Sequence, residues 1–457
     1  MNLILVNPSG RENYQELGNE LMAVEPPLWC RLIAGYCEDK GHKVEIIDNE
    51  AENLTHVEVG QLIAQKKPDL VGMIVYGHQP NSSTQQMVPA SKTCLAIKGF
   101  SNVPIIIAGG HVSVLPEQTL IEEHVDYVAI GEGAVTIERL LDGENITDIP
   151  GLAWIQDGNV WINPPPPLLT TEQLHGDVWK MLPMDKYRAH NWHAEDRSHY
   201  ASIYTSLGCP YSCQFCCINA PFGGPGYRTR SPLQVVSEIA YLYIHYGVIN
   251  IKIIDEMFIL KPSHYVHICE GIANLPFANE LNIWAYARVD TINEEHLPLL
   301  RKAGIRWLAL GIESGSEYVR DGSEKNLKRN DIFEIVKMIQ KHDINVIGNF
   351  IYGLPDDTTE TMNATLAMAL DLGCDFVNFY VCQAYPGSKL YEIVDKKDLP
   401  ESWSGYSQHG YECKPLPTKT LTSEEVLKFR DESHQAYFLS VHKNKELSKP
   451  LRREILE

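Results

Sequence analysis

Two α/β units in series, followed by a small helical region, are what this 457-residue sequence predicts. Three observations predict them. Residues 1–140 alternate short apolar runs with amphipathic stretches, residues from 202 onward do so again, and a proline-rich break separates the two. Short apolar runs bounded by turn formers read as buried strands, and the amphipathic stretches between them as helical crossovers.

In the first unit the strands are "LILVNP", "KVEIID", "LVGMIVYG", "VPIIIAGG" and "VDYVAIG", with helices such as "LWCRLIAGYCEDKGH" and "LPEQTLIEEH" between them. Strands joined by helical crossovers imply a parallel sheet covered on both faces, a doubly wound (Rossmann-like) domain over 1–140. Its ligands would sit beyond the carboxyl ends of the strands. The pattern breaks over 141–195. There "GLAWIQDGNVWINPPPPLL" sets two strand-like pieces around the turn "DG", and four prolines end both helix and ladder. The aromatic, irregular "WKMLPMDKYRAHNWHAED" completes a linker expected to pack on both neighbours.

Over 196–390 the strands are "SIYTSLG", "IKIIDEMF", "NIWAYARV", "WLALGIES", "NVIGNFIYG" and "DFVNFYV". Six strand–helix repeats predict a partial (β/α)6 TIM-like barrel, with its chemistry at the C-terminal strand ends. Residues 391–457 form the helical region, with one convincing helix, "TSEEVLKFRDESHQAYFLS", capped by Thr422 or Ser423.

Composition narrows the function. With 59 acidic and 39 basic side chains, a net charge of -20 repels a phosphate backbone, so no nucleic-acid partner is expected. Eleven cysteines are an odd number, and Met1 leads straight into "NLILVNPSG" without a basic and apolar leader. A reducing, cytoplasmic setting is the expectation. No apolar run approaches the roughly 20 residues of a membrane span.

Four of the eleven cysteines fall within "CPYSCQFCC", residues 209–217. Cys209, Cys213 and Cys216 directly follow the first barrel strand, where that fold places its site. The C-x3-C-x2-C spacing lets one loop aim three sulfurs at one point. Three thiolates suit a [4Fe–4S] cluster with one iron left open; zinc would want a fourth donor. Cys217 and the seven scattered cysteines read as packed thiols.

The stretch 202–390 resembles the radical SAM superfamily. "GCPYSCQFC", with Phe215 before the last thiol, is similar to that family's cluster motif. "IIDEMF" (253–258, with Asp255 and Glu256) is similar to the segment contacting the methionyl amino group, and "LGIESGS" (310–316, with Glu313 and Ser314) to the ribose-binding strand. "GNFIYGLPDDT" (348–358, with Gly353) and "YPGSKLYE" (385–392) resemble the adenine-side and barrel-closing motifs. The resemblance implies that S-adenosylmethionine (SAM) chelates the open iron and is cleaved to methionine and a 5'-deoxyadenosyl radical. It also implies an external electron donor such as flavodoxin or ferredoxin. Arg288 is a further candidate cofactor contact, and Tyr286, Asn349, Tyr380 and Gln383 are polar residues at barrel strands.

The first 140 residues resemble the cobalamin-binding domain of the B12-dependent radical SAM subfamily. "GGHVS" (109–113: Gly109, Gly110, His111, Ser113) and "GEGA" (131–134: Gly131, Glu132, Gly133) each follow a strand, where glycine lets backbone approach a ligand. No D-x-H-x-x-G is present, so the face beneath the cobalt would meet something other than that histidine. The loop "YGHQPNSST" (76–84), with His78 and Ser82, is the candidate for that surface. The resemblance implies a C-methyltransferase acting on a small-molecule or peptide substrate. A cyclisation or rearrangement enzyme with the same cofactors is the alternative, and a non-catalytic iron–sulfur and corrinoid sensor the alternative of a different class. General acids and bases are not assigned.

Overall fold

The computed structural model describes residues 1–77, 81–323 and 329–453. Strands β1 (Asn2–Asn7), β2 (Lys43–Asp48), β3 (Leu70–Ile74), β4 (Ile105–Ala108) and β5 (Tyr127–Ala129) fall in the five apolar runs expected of the first unit. They run parallel, and β6 (Leu152–Gln156) and β7 (Asn159–Ile162) extend the same sheet antiparallel, in the order β2-β1-β3-β4-β5-β6-β7. The stretch 141–195 therefore does more than connect. Its "DG" hairpin pairs Leu152 with Ala129 and so covers an edge that β5 would otherwise expose.

The second sheet is built from β8 (Tyr200–Ile203), β11 (Asn250–Ile253), β12 (Asn282–Ala287), β13 (Ile305–Glu313), β14 (Asn345–Tyr352) and β15 (Phe376–Val381), all parallel and in sequence order. Two short strands between β8 and β11, β9 (Ser206–Leu207) and β10 (Arg228–Thr229), pair antiparallel and form the neck of a long loop. One face of the six-stranded sheet carries the aliphatic residues that pack under helices. The other carries Trp284, Ala309 and Ile347, with Trp192 of the 141–195 stretch packed against them. The Trp192 ring lies 5.3 Å from Trp284, 5.2 Å from Trp307 and 5.8 Å from Phe376, closing this face at one end.

One continuous apolar core runs from Leu5 in the first sheet and Ile33 in the helix Leu28–Asp39 through Trp179 and Tyr187 to Tyr200 and Ile251 in the second sheet. Buried polar contacts fix the register of the two units. Lys252 Nζ lies 2.9 Å from Glu25 Oε1, and Glu238 accepts from Arg230 (2.5 Å) and Trp179 (3.0 Å) and lies 3.4 Å from Arg31. Tyr187 donates to Asp48 at 2.7 Å. Buried charges tolerate burial only when paired in this way. The C-terminal helix spans Ser423–Arg453, and Thr422 is its cap: its hydroxyl accepts from the Glu425 amide while the Glu425 carboxylate accepts from the Thr422 amide. Among the described residues no helix is long and apolar enough to cross a membrane.

Candidate functional site

The loop from Gly208 to Tyr227 leaves the second sheet at the carboxyl end of β8 and returns as β10. Its neck is tight. Gly208 has φ +84°, and a Cβ there would stand 2.8 Å from the Gly226 carbonyl oxygen, so only glycine fits. The Gly226 amide donates to Cys209 O at 3.2 Å, the Cys216 amide to Cys213 O at 3.1 Å, and the Leu390 amide, from the barrel-closing "YPGSKLYE", to Gln214 O at 3.0 Å. Phe215 packs on the apolar cluster of Leu354 and Leu390, anchoring the loop to the later strands.

Cys209, Cys213 and Cys216 are partly exposed, whereas the other eight cysteines are buried. Burial pushes the Cys209 thiol up to about 11, so the thiolate needs a positive centre to form. A single tetrahedral zinc would draw its donors to within about 4 Å of one another. Among the described residues the one three-donor group with ligand atoms within 4.8 Å lies elsewhere, at His42, Glu138 and Asp142. The three thiols are not drawn together to that spacing, which agrees with a cluster rather than a single zinc.

Around this loop stand the ends of the later strands. Asp255 is buried and engaged: it accepts from the Thr205 amide (2.6 Å), the Thr205 hydroxyl (2.5 Å) and the Ser206 hydroxyl (2.6 Å), bracing the β11 end to the loop's entry. Glu256, one residue on, lines the cleft beside it, and burial pushes its carboxyl up to about 8. The Arg288 guanidinium lies 4.2 Å over the Tyr211 ring of the loop and is held by both oxygens of Asp290 at 2.9 Å. Glu313 takes φ +67° where the β13–β14 register shifts. Such a conformation is costly for a non-glycine residue, and it is the kind of strain that collects at ligand sites. The Ser314 hydroxyl is engaged by Thr365 and the Ser316 amide. Gly353 has a packing reason for its identity: a Cβ would meet Val426 of the C-terminal helix at 2.6 Å.

The first sheet presents its carboxyl edge to the same place. Ser113 Oγ donates to Gly109 O (2.7 Å) and accepts from the Gly131 amide (3.0 Å), so the two glycine loops are cross-linked. A Cβ on Gly109 would lie 2.6 Å from Val75 O. Gly133 has φ +78° and opens the helix Ala134–Leu141. Tyr76 donates to Gly131 O and stacks on Trp29, ring centroids 4.1 Å apart. His111 is buried, its amide donating to Ser83 Oγ and its ring edge-on to Trp403, and burial lowers it to about 3. Glu132 turns to the partner domain, accepting from the Leu169 amide (2.8 Å) and pairing with Arg228 (2.6 Å). Ser82 begins the short helix Ser82–Gln85, and His78 lies outside the described residues.

Between the two edges is a cleft, lined by Trp29, Tyr76, Gly77 and Gly110 on one side and by Gly208, Cys217, Phe222 and Glu256 on the other. Of the first-domain residues expected to meet a ligand, Gly110 lines this cleft; Gly109, His111, Ser113, Gly131, Glu132 and Gly133 shape the wall behind it. Tyr76 opens the 76–84 loop that the sequence singled out, whereas Trp29 and Phe222 were missed. The signal for Trp29 was available: Pro26–Pro27 immediately precede the helix Leu28–Asp39, so Trp29 falls in its first turn.

Both halves match known family models. Residues 203–369 match the Radical SAM superfamily, and residues 17–141 match the B12 binding domain. An uncharacterized methyltransferase of Pyrococcus horikoshii is 30% identical over 423 residues, covering 91% of this chain and 88% of the relative. The chain belongs to the cobalamin-dependent radical SAM enzymes. An anaerobic magnesium-protoporphyrin IX monomethyl ester cyclase of Rubrivivax gelatinosus is 27% identical over 416 residues, 87% of this chain and 71% of that one. The fold is shared with the radical SAM methyltransferase TsrM from Kitasatospora setae, solved with cobalamin and a [4Fe–4S] cluster bound, at TM-score 0.67 and 20% identity over 85% of this chain and 76% of that chain. In this cobalamin-dependent radical SAM enzyme the cluster motif and the glycine loops therefore lie within the two matched regions.

Proposed function

We propose that this cobalamin-dependent radical SAM enzyme is a methyltransferase acting on carbon in a small-molecule substrate. The observation that carries the reading is the cleft itself, where the loop that bears the three partly exposed thiols presents Gly208, Cys217 and Phe222 to a glycine- and aromatic-lined wall on the other domain. The donor sets fit the implied groups. Cys209, Cys213 and Cys216 would hold the cluster. Gly77 and Gly110, which lack a Cβ, and the flat Trp29–Tyr76 pair would receive the corrin. When bound, the cluster supplies the electron for cleaving SAM and the corrin supplies a methyl carrier.

The chain's own residues position and exclude. Asp255 fixes the loop entry relative to β11, and Arg288 steadies the loop through Tyr211. Glu256 keeps a proton at neutral pH, and so adds no negative charge beside an anionic cluster. Glu313, turned by its left-handed backbone, is the residue assigned to the ribose hydroxyls. Trp192 and the neighbouring indoles keep water from one end of the barrel. Methyl transfer is favoured because the relative at 30% identity is named a methyltransferase and spans nearly the whole chain. A cyclase is the second reading, supported by the similarity to the magnesium-protoporphyrin ester cyclase.

The deciding experiment needs no substrate. Anaerobically purified, cluster-reconstituted protein is loaded with hydroxocobalamin, reduced, and given SAM labelled in its methyl group. Label retained on the corrin, near one per chain, is expected of the methyltransferase. Formation of 5'-deoxyadenosine with no label on a fully loaded corrin would overturn it in favour of the cyclase reading.

A further inference from the structure

At the opposite edge of the first sheet, away from every residue that lines the cleft, three side chains converge. His42 lies in the turn leading into β2, Glu138 in the last turn of the helix Ala134–Leu141, and Asp142 directly after that helix. Their nearest ligand atoms all lie within 4.8 Å of one another. His42 is 8% exposed and Glu138 9%, while Asp142 opens to solvent.

Two features of this group are unfavourable as they stand. Glu138 and Asp142 are one turn apart at the carboxyl end of a helix, where the backbone's own partial charge is negative, so they repel each other and the helix pole. Burial and Asp142 together push the Glu138 carboxyl up, with Lys40, His42 and Arg139 opposing. Among the described residues, the one ion pair that either carboxylate makes is that of Asp142 with His42. The second feature is His42 Nε2, shut off from water without a hydrogen bond. It stands 3.4 Å from Asp142 Oδ1, near enough for an ion pair but not aligned for a hydrogen bond.

That geometry has a simple cause if both atoms face a common third centre. Nitrogen and oxygen donors about 2.1 Å from a tetrahedral ion lie about 3.4 Å apart. We propose that His42, Glu138 and Asp142 form a binding site for a divalent transition-metal ion of the zinc class, with water as the fourth ligand on the exposed side. One neutral imidazole and two carboxylates balance the ion's two positive charges. The ion would pin the C-terminal end of the helix Ala134–Leu141 to the turn before β2, and it would also satisfy the imidazole nitrogen and neutralise two acids at a negative helix pole.

The test uses the cluster-reconstituted holoenzyme, so that the cluster thiols are occupied, and Zn²⁺ itself as the probe. Zinc per chain is measured by equilibrium dialysis and elemental analysis for wild type, His42→Ala and Asp142→Asn. Wild type is expected to bind one zinc that His42→Ala lacks, with equal iron content and equal 5'-deoxyadenosine formation in both. Zn²⁺ should raise the melting temperature of wild type only, because a ligand that binds the folded state stabilises it. Asp142→Asn, at an exposed position, covers the case in which His42→Ala does not fold, and should weaken zinc at least tenfold. Equal zinc in wild type and either folded variant would overturn the site, as would a wild type that binds no zinc.

Discussion

The loop that carries the three thiols and the glycine loops facing it across the cleft are held in opposite ways. The first-sheet loops bond to themselves: Ser113 ties Gly109 to Gly131, Tyr76 reaches Gly131, and Ser83 reaches Val75. Their polar groups are used up, and what faces the cleft is bare backbone and aromatic ring. The thiol loop closes on itself at its neck, where Gly226 meets Cys209, and is held along its length from outside by Leu390 and Arg288. Its reactive groups are left over, half-exposed, for a ligand to complete. A wall can be built by protein alone; a socket for iron is finished by what it binds.

The sharpest way to break this comparison is at the socket. Cys213→Ala should lose the bound iron and the cluster's visible absorbance and reduce 5'-deoxyadenosine formation at least 10³-fold, while Cys217→Ala, one residue from a ligand but buried, should keep both. At the wall the expected failure is steric. Gly109→Ala puts a methyl 2.6 Å from a backbone oxygen that cannot rotate away, and should cost about 1–3 kcal/mol in denaturant unfolding and reduce the retained corrin. Iron content should stay unchanged, because the socket belongs to the other domain.

A smaller effect is expected at the brace between the two edges. Arg228→Ala leaves the Glu132 carboxylate, 5% exposed in its side chain, without its cation. Because Arg228 is itself 23% exposed, water moderates the loss to about 1–2 kcal/mol. The last is a slope. Burial pushes the Asp48 carboxyl up to about 6 from 3.8, so the folded state keeps a proton that the unfolded chain gives up. Its contribution to stability is complete below about 3.8 and is lost as pH rises through about 6. Asp48→Asn should flatten unfolding free energy against pH over that window by at most one proton, about 1.4 kcal/mol per pH unit.

Particular residues show how far the sequence could be read. The thiols were legible because three ligands on one short loop need only local spacing. The strands were legible because burial on both faces leaves continuous apolar runs such as "LVGMIV". Asp255 and Glu256 could not be told apart: both line the cleft, and adjacent acids at a strand end differ only in what each meets, here Thr205 and Ser206 for the first. Likewise Glu132, expected to meet a ligand, is claimed by Arg228, ninety-six positions away.

The sequence by itself determined two α/β units, their order, and a triple-thiol loop at the end of the first barrel strand. Periodicity and spacing are properties of neighbouring residues, and local sterics and burial enforce them. Only the tertiary structure decided that 152–162 would finish the first sheet, that Trp192 would close one end of the barrel, and that Trp29 and Phe222 would face the cleft. Those outcomes depend on which surfaces meet when two sheets share one core, and no run of consecutive residues carries that information.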